Sequence, residues 1–438
     1  MARRADIASA LAAAYLAGVW TEDALVRRSA AVVAPRPRWL RSVAREVLAS
    51  YPRPPADRPR ELARFVAMAL AARRTRSTVR VVRVPPVHPA MGRTPWPVPV
   101  LETAGELAAW LGLEPERLAW LADVRGLERV AADERLRRYG YATVPRRDGR
   151  PRVIERPKPR LKAVQRRLLD ELLLWIPVHD AAHGFVRGRS ARTHAVLHTG
   201  QAIVLAFDLE DCFASVRAGR IYGVLRIAGY PEGVAHVLTG LCTNTVPPAV
   251  WEAIPRPAEP SRIPPHHRLG RRLATPHLPQ GAPTSPALAN LCAFGLDRRL
   301  TGLAARFGAR YSRYADDLVL SGGPLLRRAA DTVAAAVADI AREEGFHVNE
   351  AKRRLATRAG RQRVCGIVVN DRPNLARHEY DRLKAVLHDA ARHGPEAANR
   401  AGVPDLRAHL QGRLAWLESL NPARGARLRE RLDAIDWG

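Results

Sequence analysis

"YSRYADDLVLS", residues 311–321, sets two adjacent carboxylates, Asp316 and Asp317, between apolar β-formers. Successive side chains on a strand point to opposite faces, so both carboxylates reach one site only where the chain turns. A β-hairpin with its tip at the acidic pair meets that condition. Carboxylates beside Leu318, Val319 and Leu320 are costly to ionise unless a cation accompanies them. A hard, oxygen-seeking ion such as Mg²⁺ suits them. A bare Asp-Asp pair has a second reading, a solvated turn, and the pair by itself does not decide between the two.

Two further blocks bear on the choice. "IVLAFDLEDCFAS", residues 203–215, ends an apolar strand in Asp208. Two strands ending in Asp can converge on two metal ions ~3.5–4 Å apart, which stabilise the entering and leaving oxygens of in-line phosphoryl transfer. Glu210 and Asp211 are expected to face solvent or to support the site from behind. "LPQGAPTSPALANL", residues 278–291, is a loop of small and turn-forming residues that lets backbone approach a ligand closely. Its Gln280 offers both an amide donor and a carbonyl acceptor.

Charge points to the partner. The 438 residues carry 71 Lys and Arg against 43 Asp and Glu, a net +28. Folding gains nothing from that excess, and self-repulsion opposes it. A polyanion relieves it, and nucleic acid does so with release of counterions. Arg-rich codon usage is the competing explanation. A length of 438 residues allows two or three domains, and a 47% hydrophobic content with 26% charged residues fits a folded soluble protein. Cys212, Cys242, Cys292 and Cys365 form no C-x-x-C pair, so neither a zinc knuckle nor a disulfide framework is indicated, and reduced thiols of a cytoplasmic protein are expected. Arg3 and Arg4 before an apolar run imitate a signal peptide, but Asp6 and the spacing of Ile7, Leu11, Tyr15 and Val19 favour a helix. No apolar run reaches the ~18 residues of a membrane span.

Prolines at 35, 37, 52, 54, 55 and 59 break residues 1–75 into helices, and residues 75–99 read as an exposed Val/Pro/Arg connector. Helical pattern returns over residues 102–138, where Gly112 separates two apolar stretches; a helical hairpin is favoured there over a helix-turn-helix. Asp148-Gly149 between strand-like runs predicts a hairpin crowded with Arg146, Arg147, Arg150 and Arg152. Helices are expected over residues 162–175, 286–300 and 331–344, a strand over residues 364–369, and helices beyond 374. Residues 244–277 read as an irregular Pro/Arg-rich insertion.

Together the blocks at Asp208, Gln280 and Asp316-Asp317 resemble palm motifs A, B and C of the reverse transcriptases, and Tyr314–Asp317 resembles that family's Y-A-D-D box. The resemblance implies an α+β right-hand polymerase fold. Residues 1–100 would be a helical N-terminal extension, 101–200 the fingers, 201–370 the palm with the 244–277 loop, and 371–438 a helical thumb. It implies transfer of a deoxynucleotide from a dNTP to a primer hydroxyl with two Mg²⁺ ions, Mn²⁺ being a substitute. By position Asp208, Asp316 and Asp317 become the catalytic metal ligands, Phe213 the aromatic gate against a ribose 2′-OH, and Gln280 a nucleotide contact. Arg146, Arg147 and Arg152 fall where the fingers clamp the triphosphate, and cations there would stabilise the leaving pyrophosphate. "GFHVNEAKRR", residues 345–354, resembles motif D, with Lys352 as a candidate general acid. "RQRVCGIVVN", residues 361–370, resembles the strand pair that grips the primer, with Arg363, Gly366 and Asn370 as RNA- or primer-binding residues.

"HGFVRGRSARTHAVLH", residues 183–198, and "VCGIVVNDRPN", residues 364–374, look most like the retron reverse transcriptases. That branch typically carries N-A-x-x-H, where this chain has His194 for Asn, and V-T-G, where it has Cys365 for Thr. The likeness adds Arg187, Arg189, His194 and His198 as RNA-binding residues, with a structural role in the core the alternative for the two histidines. It also implies a structured noncoding RNA template, priming from a guanosine 2′-OH, a branched RNA–DNA product, and an effector protein in anti-phage defence. An intron-like or stand-alone defence reverse transcriptase, and a catalytically silent RNA-binding scaffold, are the alternatives.

Overall fold

The structure is a computed structural model and describes residues 4–73, 79–145 and 150–437. The chain forms two compact units: Met1–Ile176 with Arg217–Leu288, and Pro177–Val216 with Ala289–Gly438. No helix among the described residues is long and apolar enough to cross a membrane.

The first unit opens with four helices: α1 (Arg4–Leu16), α2 (Glu22–Val32), α3 (Leu40–Ser50) and α4 (Pro59–Ala71). Acidic Glu22 and Asp23 in the first turn of α2, and Pro59 at the start of α4, suit helix N-termini. Leu11, Tyr15, Leu25, Val43, Val47, Leu62 and Val66 close a core of their own, so these four helices are held by their own apolar packing. Val19 does not continue the α1 stripe as the spacing suggested. The helix stops at Leu16, and Val19 is 67% exposed.

The connector is less exposed than its composition suggested. Arg80–Val81 pairs with Val33–Ala34, Val79 and Val98 are buried, and the Gly92 amide donates to the Gly229 carbonyl at 2.7 Å. Helices Ala104–Leu111 and Pro115–Leu121 form the expected hairpin, and Gly112 turns between them with φ +66°. Strands β1 (Tyr139–Pro145) and β2 (Pro151–Pro157) pair antiparallel in register from Tyr139 with Pro157 to Pro145 with Pro151. Arg146, Arg147 and the Asp148-Gly149 dipeptide lie outside the described residues. Residues 244–277 are not irregular: they contain helices Pro248–Glu252 and Ile263–Leu273, and Asn244 and His277 exchange both backbone hydrogen bonds at their ends. Prolines at helix starts, at 248 and at 264–265, made a helical segment look like a loop.

The second unit is built on a four-stranded antiparallel sheet. Its strands are β3 (Ile203–Asp208), β4 (Arg310–Tyr314), β5 (Asp317–Gly322) and β6 (Arg354–Thr357), in the order β4-β5-β3-β6. One face carries Val204, Ala206, Asp208, Asp317 and Val319 in cross-strand pairs. Val204 and Val319 pack there with the apolar stripes of α5 (Arg377–His393), α6 (Leu406–Leu420) and α7 (Pro422–Asp433). The opposite face carries Tyr311, Arg313, Leu318 and Leu320, and helix Phe294–Arg306 packs against β4. The expected strand at 364–369 is instead a tight hairpin. Arg363–Val364 pairs with Ile367–Val368 around Cys365 and Gly366, whose φ values are +46° and +83°.

Candidate active site

The pleat brings the acidic residues together. Asp208 ends β3 and Asp317 begins β5, and the two are direct partners in the register, so both side chains leave the same face. Tyr314 and Asp317 pair across a two-residue loop, Ala315-Asp316, with Ala315 at φ +55°. Asp316 therefore sits in the tight turn that the sequence required. Its carbonyl accepts from Leu209 at 2.8 Å, and the Asp208 carbonyl accepts from Asn349 at 2.7 Å. Backbone bonds thus fix both acidic strand ends before any side chain acts.

The electrostatics are those of crowded like charges. Burial, then Asp316 and Asp208, push the Asp317 carboxyl up to about 6, against a smaller lowering by the Cys365 thiol. The Cys365 Sγ lies 3.6 Å from Asp317 Oδ2 and donates to it. Lys352 Nζ donates to both Asp208 oxygens, at 2.9 and 3.1 Å. Among the described residues no three His, Cys, Asp or Glu side chains already form a closed ligand set. The donor chemistry nonetheless fits a hard divalent cation: carboxylate oxygens on one sheet face, with repulsion that positive charge would relieve.

Arg313 holds this turn from the other face. It is 1% exposed and grips Asp297 with Nε at 2.8 Å and a second guanidinium nitrogen at 2.7 Å. Its remaining nitrogen donates to Asn290 Oδ1 and to the Ala315 carbonyl, both at 3.0 Å. Asn290 in turn donates to the Gly184 carbonyl at 2.8 Å. A Cβ on Gly184 would lie 2.5 Å from the Ala315 nitrogen, so the turn closes only against glycine. Arg313, Asp297, Asn290 and Gly184 were missed in the sequence. The available signal was a charged residue in mid-strand, on the same face as Leu318 and Leu320. Phe185 was also missed. It is 52% exposed, sits at φ +60°, and its ring lies 6.4 Å from that of half-buried Phe213.

Several expected RNA contacts are used within the fold. His194 and His198 are fully buried, which removes them from direct contact with RNA. His198 bonds Ser321 at 2.7 Å and Ser312 at 2.8 Å, and Ser312 bonds His194 at 2.7 Å, so the pair ties β4 to β5. Arg189 donates to the carbonyls of His179, Asp180 and Ala182 and pairs with the Asp180 carboxylate, stapling its own loop. Asn370 is likewise committed, donating to the carbonyls of Arg358 and Gly360 while accepting from the Gln362 amide. Glu210 and Asp211 are buried and not solvent-facing. Arg187 and Gly366 are exposed, and Arg363 spans its own hairpin to the Gly366 carbonyl at 3.5 Å. Gln280 and exposed Arg152 belong to the first unit.

Comparison with known proteins agrees with this geometry. The family described as reverse transcriptase (RNA-dependent DNA polymerase) matches residues 144–381. Retron Mx65 reverse transcriptase of Myxococcus xanthus is 42% identical over 334 residues, 76% of this chain and 72% of that protein. Retron Mx162 reverse transcriptase of the same organism is 37% identical over 350 residues, covering 77% and 67%. Retron Ec86 reverse transcriptase of Escherichia coli is 30% identical over 256 residues, covering 57% and 69%. The chain belongs to the retron-type reverse transcriptases, a family of RNA-directed DNA polymerases.

Proposed function

We propose that this enzyme copies a structured noncoding RNA into DNA by two-metal nucleotidyl transfer, with Asp208, Asp316 and Asp317 holding the ions. The observation that carries the reading is the register pairing of Asp208 with Asp317 beside a turn that delivers Asp316. Two divalent cations, Mg²⁺ or Mn²⁺, would supply charge for the attacking hydroxyl and the leaving pyrophosphate. The protein's own contribution is placement. β3 and the β4–β5 turn fix the carboxylates, and Cys365 directs a proton at Asp317 Oδ2. Lys352 neutralises Asp208 until a dNTP arrives, and then acts as general acid toward pyrophosphate. Arg152, with Arg146 and Arg147, clamps the triphosphate, Gln280 contacts the nucleotide, and Arg187, Arg363 and Gly366 contact RNA or primer. The division into fingers (101–200), palm (201–370) and thumb (371–438) is carried over from the family likeness, and residues 1–100, outside that likeness, are read as a helical N-terminal extension on the strength of their own apolar core. The branched product, an effector and anti-phage defence rest on family likeness alone.

Primer extension on an RNA template with dNTPs and Mg²⁺ tests the reading, and no product from folded, RNA-bound protein would sink it. Two further outcomes are expected. Only ionised Asp317 accepts a cation, so extension should fall as pH drops through about 6. Raising Mg²⁺ should move that limb to lower pH, because cation and proton compete. A limb that ignores Mg²⁺ would take Asp317 out of the metal site. Phe213→Ala should relax discrimination against ribonucleotides by about tenfold or more, read as the ratio of kcat/KM for a dNTP and its rNTP. Unchanged selectivity would remove Phe213 from the nucleotide site.

A further inference from the structure

Under the Gln280 turn lies a buried chain of charges that the motif reading did not use. Glu155 on β2 is 1% exposed and His277 is fully buried. His277 Nδ1 faces the Thr275 carbonyl at 2.7 Å, and its Nε2 faces Glu155 Oε1 at 3.0 Å. Both neighbours are acceptors, so both ring nitrogens donate and the imidazole is a cation paired with the carboxylate. Burial opposes that charge, but Glu155's charge and hydrogen bond, with the Thr275 carbonyl, outweigh it and hold His277 above its ordinary value.

The other Glu155 oxygen accepts from Asn244 Nδ2 at 2.7 Å. Asn244 also donates to the Tyr141 hydroxyl at 3.0 Å, and Tyr141 donates to Glu128 at 2.8 Å. Glu128 lies 3.4 Å from the Arg138 guanidinium. Every charge in the chain therefore has a partner of opposite sign, the condition under which buried ions are tolerated.

This chain ends on the backbone of Gln280. The Glu155 amide donates to the Gln280 carbonyl at 2.9 Å, and the Gln280 amide donates back to Glu155 Oε1 at 3.4 Å. Gly281 completes the contact. It sits at φ +137°, and a Cβ there would lie 2.7 Å from the Glu155 carbonyl oxygen. Ser285 Oγ closes the turn on the Pro279 carbonyl at 2.7 Å.

We infer that Glu155 is a positioning residue for nucleotide binding: its backbone amide holds the Gln280 carbonyl and its carboxylate holds the Gln280 amide, while His277 and Asn244 lock that carboxylate. The inference rests on the proposed contact between Gln280 and the incoming dNTP. A residue that acts through Gln280 alters dNTP affinity, and its effect disappears once the Gln280 side chain is gone.

The test is steady-state extension by the full chain on an RNA template–primer with varied dNTP. Gln280→Ala and Glu155→Gln are each expected to raise the dNTP KM about tenfold with kcat changed less than about threefold, and the double variant to be no worse than the worse single. Glu155→Gln is nearly isosteric. Without the carboxylate the buried His277 gives up its Nε2 proton, so the new amide turns its nitrogen toward that ring atom, sets a donor against the Gln280 amide, and keeps its oxygen on Asn244 Nδ2. Asn244→Ala strands no ion and provides a second variant, expected to move KM about threefold in the same direction. The clamp is overturned, with the role of Gln280 intact, if Gln280→Ala raises KM while Glu155→Gln and Asn244→Ala do not. Effects that multiply in the double variant overturn it equally. If Gln280→Ala leaves KM unchanged, the nucleotide contact itself fails and the clamp fails with it.

Discussion

Asp317→Asn is expected to abolish DNA synthesis and, without divalent cations, to stabilise the fold. The two effects have one cause. Burial, Asp316 and Asp208 push the Asp317 carboxyl up to about 6, above the ~3.9 of an aspartate in an unfolded chain. An acid of raised pKa that is forced to ionise costs the folded state free energy. The cost is absent below about pH 4, grows between about 4 and 6, and is constant above that. Asparagine keeps the shape and the acceptor for Cys365 but carries no charge. Its expected gain is roughly 1–3 kcal/mol near neutral pH and nothing in acid. The carboxylate repulsion that it removes is the feature that favours cations, so extension should drop by about a thousandfold or more. Thermal melting in EDTA at about pH 5, where about half the gain is expected, and at about pH 7.5, where all of it is, measures both beside extension assays and RNA binding. A variant that melts lower at neutral pH, or that still extends primers, would contradict the assigned role. So would loss of RNA binding with the fold preserved.

How much of this was legible beforehand depended on whether a residue's partner was near in sequence. Asp208, Asp316 and Asp317 were legible because each interrupts an apolar β-run, where a carboxylate needs a reason. The sheet that pairs them followed from the same runs. The β1–β2 hairpin and the Gly112 helical turn were legible from local turn chemistry. Residues 244–277 were misread because prolines at helix starts look like loop prolines. His194 and His198 were assigned to RNA on the likeness of their block to the retron N-A-x-x-H pattern, with a structural role in the core as the alternative. Their real partners, Ser312 and Ser321, lie more than a hundred residues on, and only the folded register of β4 against β5 brings them there. Arg313 is the same case with larger consequences. In so basic a chain, one more arginine drew no notice.

Arg313→Leu is therefore expected to cost about 3–5 kcal/mol of stability, the usual result of removing one member of a buried ion pair. Among the described residues, Asp297, itself fully buried, would keep only the Tyr311 hydroxyl at 2.8 Å to satisfy its charge. Leucine also leaves Asn290 Oδ1 and the Ala315 carbonyl without their donor. Arg313→Lys should not rescue, since an ammonium cannot grip Asp297 through two nitrogens while reaching both of the others. A double replacement, Arg313→Leu with Asp297→Leu, separates stability from function. With both charges gone, no uncompensated ion remains, and melting should recover to within about 1–2 kcal/mol of the parent. Activity should not recover, because the Ala315 carbonyl still lacks the contact that sets the turn carrying Asp316. Denaturant melts and primer extension on the single and double variants read the two quantities apart. If the double variant regains both, Arg313 merely balances Asp297, and the backbone of the acidic turn holds itself.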